Sequence, residues 1–171
     1  HLTPFGEYIP LRSLASKISP LVDDVRDFSP GDESTIFSVE AAKIAPIICY
    51  ELLDDQILQD GAKSSNLLAV QTNSATFGDS AESAQQLQIT RIRAIEHSRN
   101  ILSVSTTGYS AVIDFNGEVK QKTAMGTAEH LYAEVDLISS TSPRDRYGDW
   151  ALVITLMWLL LAARSGYIYR R

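Results

Sequence analysis

Lys43-Ile44-Ala45-Pro46-Ile47-Ile48-Cys49-Tyr50-Glu51 is the stretch that decides the fold. Lys43–Ile48 is apolar enough to read as a strand buried on both faces, as strands of a parallel sheet are. Leu52–Asp60 reads as a short helix with Gly61 at its C-cap. A strand that gives way at once to a helix puts the residue between them at the carboxyl edge of the sheet, where open α/β sheets bind ligands. That residue is Cys49, the only cysteine among 171 residues.

Working outward, Thr35–Val39 reads as a short strand before this unit and Asn66–Gln71 as a third, buried strand after it. Thr72–Asp79 is a loop. Glu82–Arg99 has neither Gly nor Pro and carries Ala84, Leu87, Ile92 and Ile95 at roughly helical spacing, so it predicts the longest helix of the domain. Ile101–Thr106 and Tyr109–Phe115 are strands joined at Gly108. Asn116-Gly117 is a strong hairpin signal leading into a strand at Glu118–Lys122, and Leu131–Val135 reads as a last strand. Strands alternating with helices early and a hairpin late predict an α/β domain with a mixed sheet over residues 1–145. The first 34 residues, with Pro4, Pro10, Pro20 and Pro30, predict a long loop with a short helix over Leu11–Lys17.

Trp150–Ala163 is an unbroken run without charge. Extended to Tyr169 it reaches the roughly 20 residues that a transmembrane helix needs, with Arg164 placed to snorkel. Trp150, Tyr167 and Tyr169 suit interfacial anchors, and Arg170 and Arg171 favour a cytoplasmic C-terminus with the preceding domain on the outer face. The competing reading is a buried C-terminal helix of a soluble domain. The flanking residues and the lack of an amphipathic face favour the span over 150–169.

A net charge of -6 without a basic stripe argues against nucleic acid as a partner. One thiol excludes an intrachain disulfide. No metal-ligand cluster, phosphate-cradling glycine loop or dinucleotide fingerprint is visible, so neither a metal nor a cofactor is expected. Placed before a helix, Cys49 would have backbone N–H groups and the positive dipole end near its sulfur, which stabilise a thiolate and an oxyanion. From the residues alone, catalysis and plain core packing remain equally open for it.

Five ordered motifs carry a resemblance. They are His1-Leu-Thr-Pro-Phe-Gly-Glu7-Tyr-Ile-Pro-Leu11, Ile48-Cys49-Tyr50-Glu51, Gln71-Thr-Asn73-Ser-Ala-Thr-Phe77-Gly78, Arg91-Ile-Arg93-Ala-Ile-Glu96-His-Ser-Arg99, and Ser105-Thr-Thr-Gly108 running on to Gly117. Together with the terminal apolar run they resemble, along the whole chain, the C-terminal part of bacterial apolipoprotein N-acyltransferases of the nitrilase superfamily. The resemblance implies part of a nitrilase-like α-β-β-α sandwich followed by a transmembrane helix in the cell membrane.

It also implies an activity. Cys49 would take an acyl chain from a phospholipid as a thioester and pass it to the N-terminal amine of a diacylglyceryl-cysteine on an apolipoprotein. Glu7 matches an additional active-site glutamate of the family, and Tyr50 and Glu51 match the positions flanking its nucleophile. The Tyr50 N–H would be an oxyanion donor. Asn73 and Phe77 are candidates for the substrate pocket, against the alternatives of a satisfied loop amide and a core ring. The Lys and general-base Glu of the family fall upstream of His1, so the chain reads as an inactive piece of a longer enzyme. Two alternatives stand beside this one. The first is a soluble carbon–nitrogen hydrolase acting on amides or nitriles; the second is an inactive scaffold. His97 and His130 read as isolated, and Glu96 with Arg93 or Arg99 as a helix-surface pair.

Overall fold

A computed structural model describes residues 2–4, 7–20, 22, 26–31 and 35–169, with the side chains of 166–169 outside that description. Its centre is one six-stranded sheet in sequential order: β1 (Phe37–Val39), β2 (Ala42–Ile48), β3 (Leu67–Thr72), β4 (Ile101–Ser105), β5 (Ala111–Ile113) and β6 (Val119–Lys122). The β2, β3 and β4 strands are parallel, with Ile47 beside Val70 and Val70 beside Ser103. The β1 strand pairs antiparallel on one side, and β5 and β6 continue antiparallel on the other. The mixed sheet is therefore as the alternation of elements predicts. Pro46 sits two residues past the last β1–β2 pair, Phe37 with Ile44, so its missing N–H breaks no bond of that ladder.

Helices α2 (Asp55–Ser64) and α3 (Glu82–His97) pack against one face of the sheet. Ala45, Ile47, Leu68, Val70, Ile101 and Ile113 form that face, all nearly inaccessible, and interlock with Leu58, Leu87 and Ala94 of the helices. The opposite face differs from the expectation of strands buried on both sides. Ile48 is 56% and Val104 58% exposed, because among the described residues no helix or strand covers them. The described residues thus form two layers, one of helices and one of strands.

Two smaller expectations are corrected by the packing. Gly61 does not cap α2 but lies inside it, where an added Cβ would sit 3.3 Å from the Ala45 Cβ, so the glycine lets helix and strand approach closely. Leu131–Val135 is not a strand. Its carbonyls and those after it are claimed by side chains instead: Gln121 Nε2 donates to Tyr132 O at 2.7 Å and Asn100 Nδ2 to Asp136 O at 2.7 Å. Near the N-terminus, α1 is a single turn, Arg12–Ala15, within the predicted segment.

Arg99 was expected on a helix surface and is instead one of the most deeply buried side chains. Its guanidinium donates to Ala62 O at 2.7 Å and Ser65 O at 3.2 Å beyond α2, to Ser98 O at 3.1 Å after α3, and to Ser140 O at 2.6 Å. A buried guanidinium is tolerable because helix-terminal carbonyls, otherwise unpaired, present partial negative charge to it. Burial pulls its pKa below the ordinary arginine value, and the nearby Asp145 carboxylate opposes that. Arg93 and Glu96 do pair, at 2.8 Å, and Asp55 joins Arg93 at 2.7 Å.

The chain ends in α4 (Pro143–Tyr147) and α5 (Trp150–Tyr169). Residues 151–165 of α5 are exposed all round, so the alternative of a helix buried within the domain is not what forms. Among the described residues, no helix is long and apolar enough to cross a membrane. Arg170 and Arg171 lie outside the described residues.

Candidate active site

The parallel register of β2, β3 and β4 brings three loops to one edge of the sheet. They begin at Cys49, at Asn73 and at Thr106. Cys49 itself takes a left-handed backbone, with φ of 49°. A residue with a Cβ pays steric energy there, on the order of 1–2 kcal/mol. The bend turns the chain from β2 into a five-residue 3-10 turn, Cys49–Leu53, in place of the α-helix expected from Leu52. The α2 helix starts later, and Asp54 closes its N-terminus: Oδ1 accepts from Gln56 N at 3.0 Å and Ile57 N at 3.1 Å. Two of its first-turn N–H groups are thereby occupied. The helix start expected directly after Cys49 is therefore displaced to Asp55.

Cys49 opens onto a cleft of about 230 Å³. Tyr50, Leu52, Leu53, Phe77 and Ile89 supply most of its wall, which is chiefly carbon. Glu82, Gln85 and Gln86 complete it from the start of α3. With Ile89 these residues stand at i, i+3, i+4 and i+7, one face of a helix. That spacing was visible in the sequence and would have found them. The Gln86 amide is held by the Thr72 hydroxyl.

The sequence-derived candidates separate into four groups. Cys49, Tyr50 and Phe77 share the cleft, and Phe77 is 47% exposed and no core ring. Glu51 turns its carboxylate back along the chain, accepting from Ile48 N at 2.8 Å, and so braces the bend that carries Cys49. Asn73 is engaged within its loop, its Oδ1 accepting from Ala75 N at 3.1 Å and from Thr106 Oγ1 at 2.9 Å. Glu7 lies in the N-terminal loop and accepts from Thr3 N at 2.7 Å. His1, Phe5 and Gly6 of its motif lie outside the described residues.

Hydroxyls cluster where the loops after β3 and β4 meet the start of α3. Ser74 Oγ and Ser105 Oγ are 2.9 Å apart, and Gly108 N donates to Ser105 Oγ at 3.0 Å. A Cβ on Gly108 would stand 2.7 Å from Ser105 Oγ and 2.8 Å from Ser83 Oγ, so only glycine fits against them. This ties the loops after β3 and β4 to the start of α3, and with it one wall of the cleft. No group of three potential metal ligands occurs among the described residues.

Residues 1–144 fit the carbon-nitrogen hydrolase family. The chain belongs to that family. Among similar proteins, the apolipoprotein N-acyltransferase of Nitrosomonas europaea is 35% identical over 168 residues, 96% of this chain and 33% of that protein. The apolipoprotein N-acyltransferase of Geobacter metallireducens is 32% identical over 157 residues, 90% of this chain and 30% of the relative. The chain spans about a third of the length of these curated relatives. Among solved structures, the glutamine-dependent NAD+ synthetase of Acinetobacter baumannii superimposes with a TM-score of 0.54 at 18% identity, over 60% of this chain and 21% of that one. This likeness concerns the fold alone.

Proposed function

We propose that the chain is the nucleophile-bearing part of an N-acyltransferase of lipoproteins. The observation that carries this reading is the carbon-lined cleft against which Cys49 sits. Leu52, Leu53, Phe77 and Ile89 offer an acyl chain a place to leave water, which favours binding by about 0.8 kcal/mol for each methylene buried. The names of the relatives agree with it.

In this reading the Cys49 sulfur attacks the carbonyl carbon of a phospholipid ester. A carbon–sulfur bond forms, the carbon–oxygen bond breaks, and the alcohol leaves with a proton. The amine of a diacylglyceryl-cysteine then attacks the thioester, and Cys49 is restored. Splitting one hard transfer in two is the gain of covalent catalysis. Glu51 holds the Cys49 bend in register through Ile48, Tyr50 borders the sulfur and presents its N–H as oxyanion donor, and Phe77 guides the chain. Glu7 joins the site as a further carboxylate, and Asn73 shapes the loop behind Phe77. Counted on to Tyr169, with the side chains of 166–169 that lie outside the description, the apolar α5 helix reaches the length of a membrane span and inserts in the cell membrane over residues 150–169, with the catalytic domain on the outer face and the C-terminus cytoplasmic. No metal or cofactor takes part.

A carbon–nitrogen hydrolase would use the same thiol with water as the second nucleophile, but has no use for a carbon-lined cleft and an apolar terminal helix in one chain. Intact-mass analysis of the whole protein in detergent with phospholipid separates the two. An acyl adduct mapped to Cys49, released by hydroxylamine and transferred to a diacylated lipopeptide, is the expected result. Ammonia release from small amides without an adduct would establish the hydrolase instead, and neither product would leave a scaffold.

A further inference from the structure

Glu82 stands in the first turn of α3 and lines the cleft, half-buried, and its Oε2 is withdrawn from solvent without a hydrogen-bond partner. A helix start accounts for a carboxylate there. It does not account for burying an oxygen without a donor, because a polar atom taken from water without a partner is costly and native structures seldom retain one. Gln86 Nε2, one turn on in α3, is engaged with Thr72. Among the described residues lining the cleft, Glu82 is the one charged side chain.

We propose that Glu82 receives the ammonium of the acyl acceptor and selects for an amine over other nucleophiles. The inference rests on the acyl-transfer reading above. The donor phospholipid carries an anionic phosphate, which a carboxylate repels, so Glu82 suits the second substrate. An α-ammonium brings three N–H donors to an acceptor that lacks one. Held there, the nitrogen lies in the same cleft as the thioester on Cys49. The ammonium loses one proton before its nitrogen attacks the thioester carbonyl carbon. A nitrogen–carbon bond forms, the carbon–sulfur bond breaks, and sulfur leaves with the electron pair. The nitrogen gives up a second proton as the amide forms. One of the two protons returns to the Cys49 sulfur and the other goes to solvent. Glu82 is a binding and positioning residue in this step.

The test compares Glu82→Gln and Glu82→Asp with the wild-type protein, each whole and in detergent, and reads the two half-reactions separately. For Glu82→Gln the Cys49 acyl adduct is expected to form within about twofold of the wild-type rate. KM for a diacylated lipopeptide is expected to rise about tenfold or more, the loss of one charge-assisted contact. Discharge of the adduct by hydroxylamine, neutral near pH 7, is expected to be unchanged. Glu82→Asp, which keeps the charge, is expected to recover part of the lipopeptide KM. Unchanged transfer by Glu82→Gln overturns the inference. So does an equal loss of adduct formation, which would assign the carboxylate to the first half-reaction, and so does failure of this isosteric variant to fold, which would make it structural. Absence of an adduct on wild-type Cys49 would remove the acyl-transfer reading itself, and is distinguishable from all of these.

Discussion

Asp145 Oδ1 lies 2.7 Å from His97 Nδ1, and both side chains are almost wholly withdrawn from solvent. The bond joins the last turn of α3 to α4 across 48 residues. Ser142 completes the joint: its Oγ is 2.9 Å from Asp145 Oδ2 and accepts from Asp145 N at 3.0 Å, capping α4. The α5 helix begins three residues after α4 ends, so this buried joint sets where the apolar helix leaves the domain.

Removing one member of such a pair leaves the other buried and unpaired. Asp145→Ala is expected to cost about 3 kcal/mol in urea unfolding. Asp149→Ala, which takes away an exposed partner of Arg144, is expected to cost under about 1 kcal/mol. Equal effects would show that the joint contributes no more than a surface ion pair.

The left-handed backbone at Cys49 makes two replacements diverge. Cys49→Ala keeps a Cβ at φ of 49°, whereas Cys49→Gly relieves it. The glycine variant is expected to match or exceed the alanine variant in stability by up to about 1 kcal/mol, offset in part by its freer unfolded chain. Both are expected to lose the acyl adduct entirely. Measured by thermal unfolding, a glycine variant well below alanine would mean that the bend stores no strain.

Asp55, at the start of α2, bridges Arg93 of α3 and Arg144 of α4 at 2.7 and 3.1 Å. The hydrogen bond from Arg93 leads in holding its carboxyl below the ordinary 3.8, against the opposing pull of partial burial. With the folded pKa below the unfolded one, the unfolded chain binds more protons between them, so stability rises with pH there. The contribution is full above about pH 4 and fades as pH falls through the lowered value. Asp55→Asn should therefore lower stability at pH 7 modestly and flatten the acid limb of a pH-melting profile. An unchanged acid limb would exclude Asp55 from acid unfolding.

Gly117, at the β5–β6 turn, has φ of 76°, and a Cβ there would lie 2.9 Å from Arg91 O and 2.8 Å from Ile95 Cδ1. Strain and overlap combine, and Gly117→Ala is expected to lose about 2–4 kcal/mol by denaturant unfolding. Arg91 Nε donates to Gly117 O at 2.7 Å, so the loss should also loosen the hairpin from α3, seen as faster amide exchange over β6.

Residues 150–171 can be removed to test the terminal helix. The shortened chain is expected to stay in solution without detergent, whereas the complete one is expected to need it. A complete chain that is monomeric in plain buffer would refute membrane insertion by α5.

The parallel strands Lys43–Ile48 and Asn66–Gln71, the helix from Glu82, the Asn116-Gly117 hairpin and the position of Cys49 were legible in the sequence, since periodicity and turn chemistry are local properties. So was the family, because its motifs stand in order along the chain. Tertiary structure alone decided the rest. Whether Leu131–Val135 pairs as a strand depended on Gln121 and Asn100 reaching its carbonyls. Arg99 went inside because the ends of α2 and α3 converge on it, and His97 found Asp145 only when α4 packed against α3. Glu82 became a cleft residue through the register of β2, β3 and β4, which faces α3 toward Cys49. Each of these is a pairing between residues far apart in the chain, and such a pairing is set by the packing of whole elements, which no local pattern encodes.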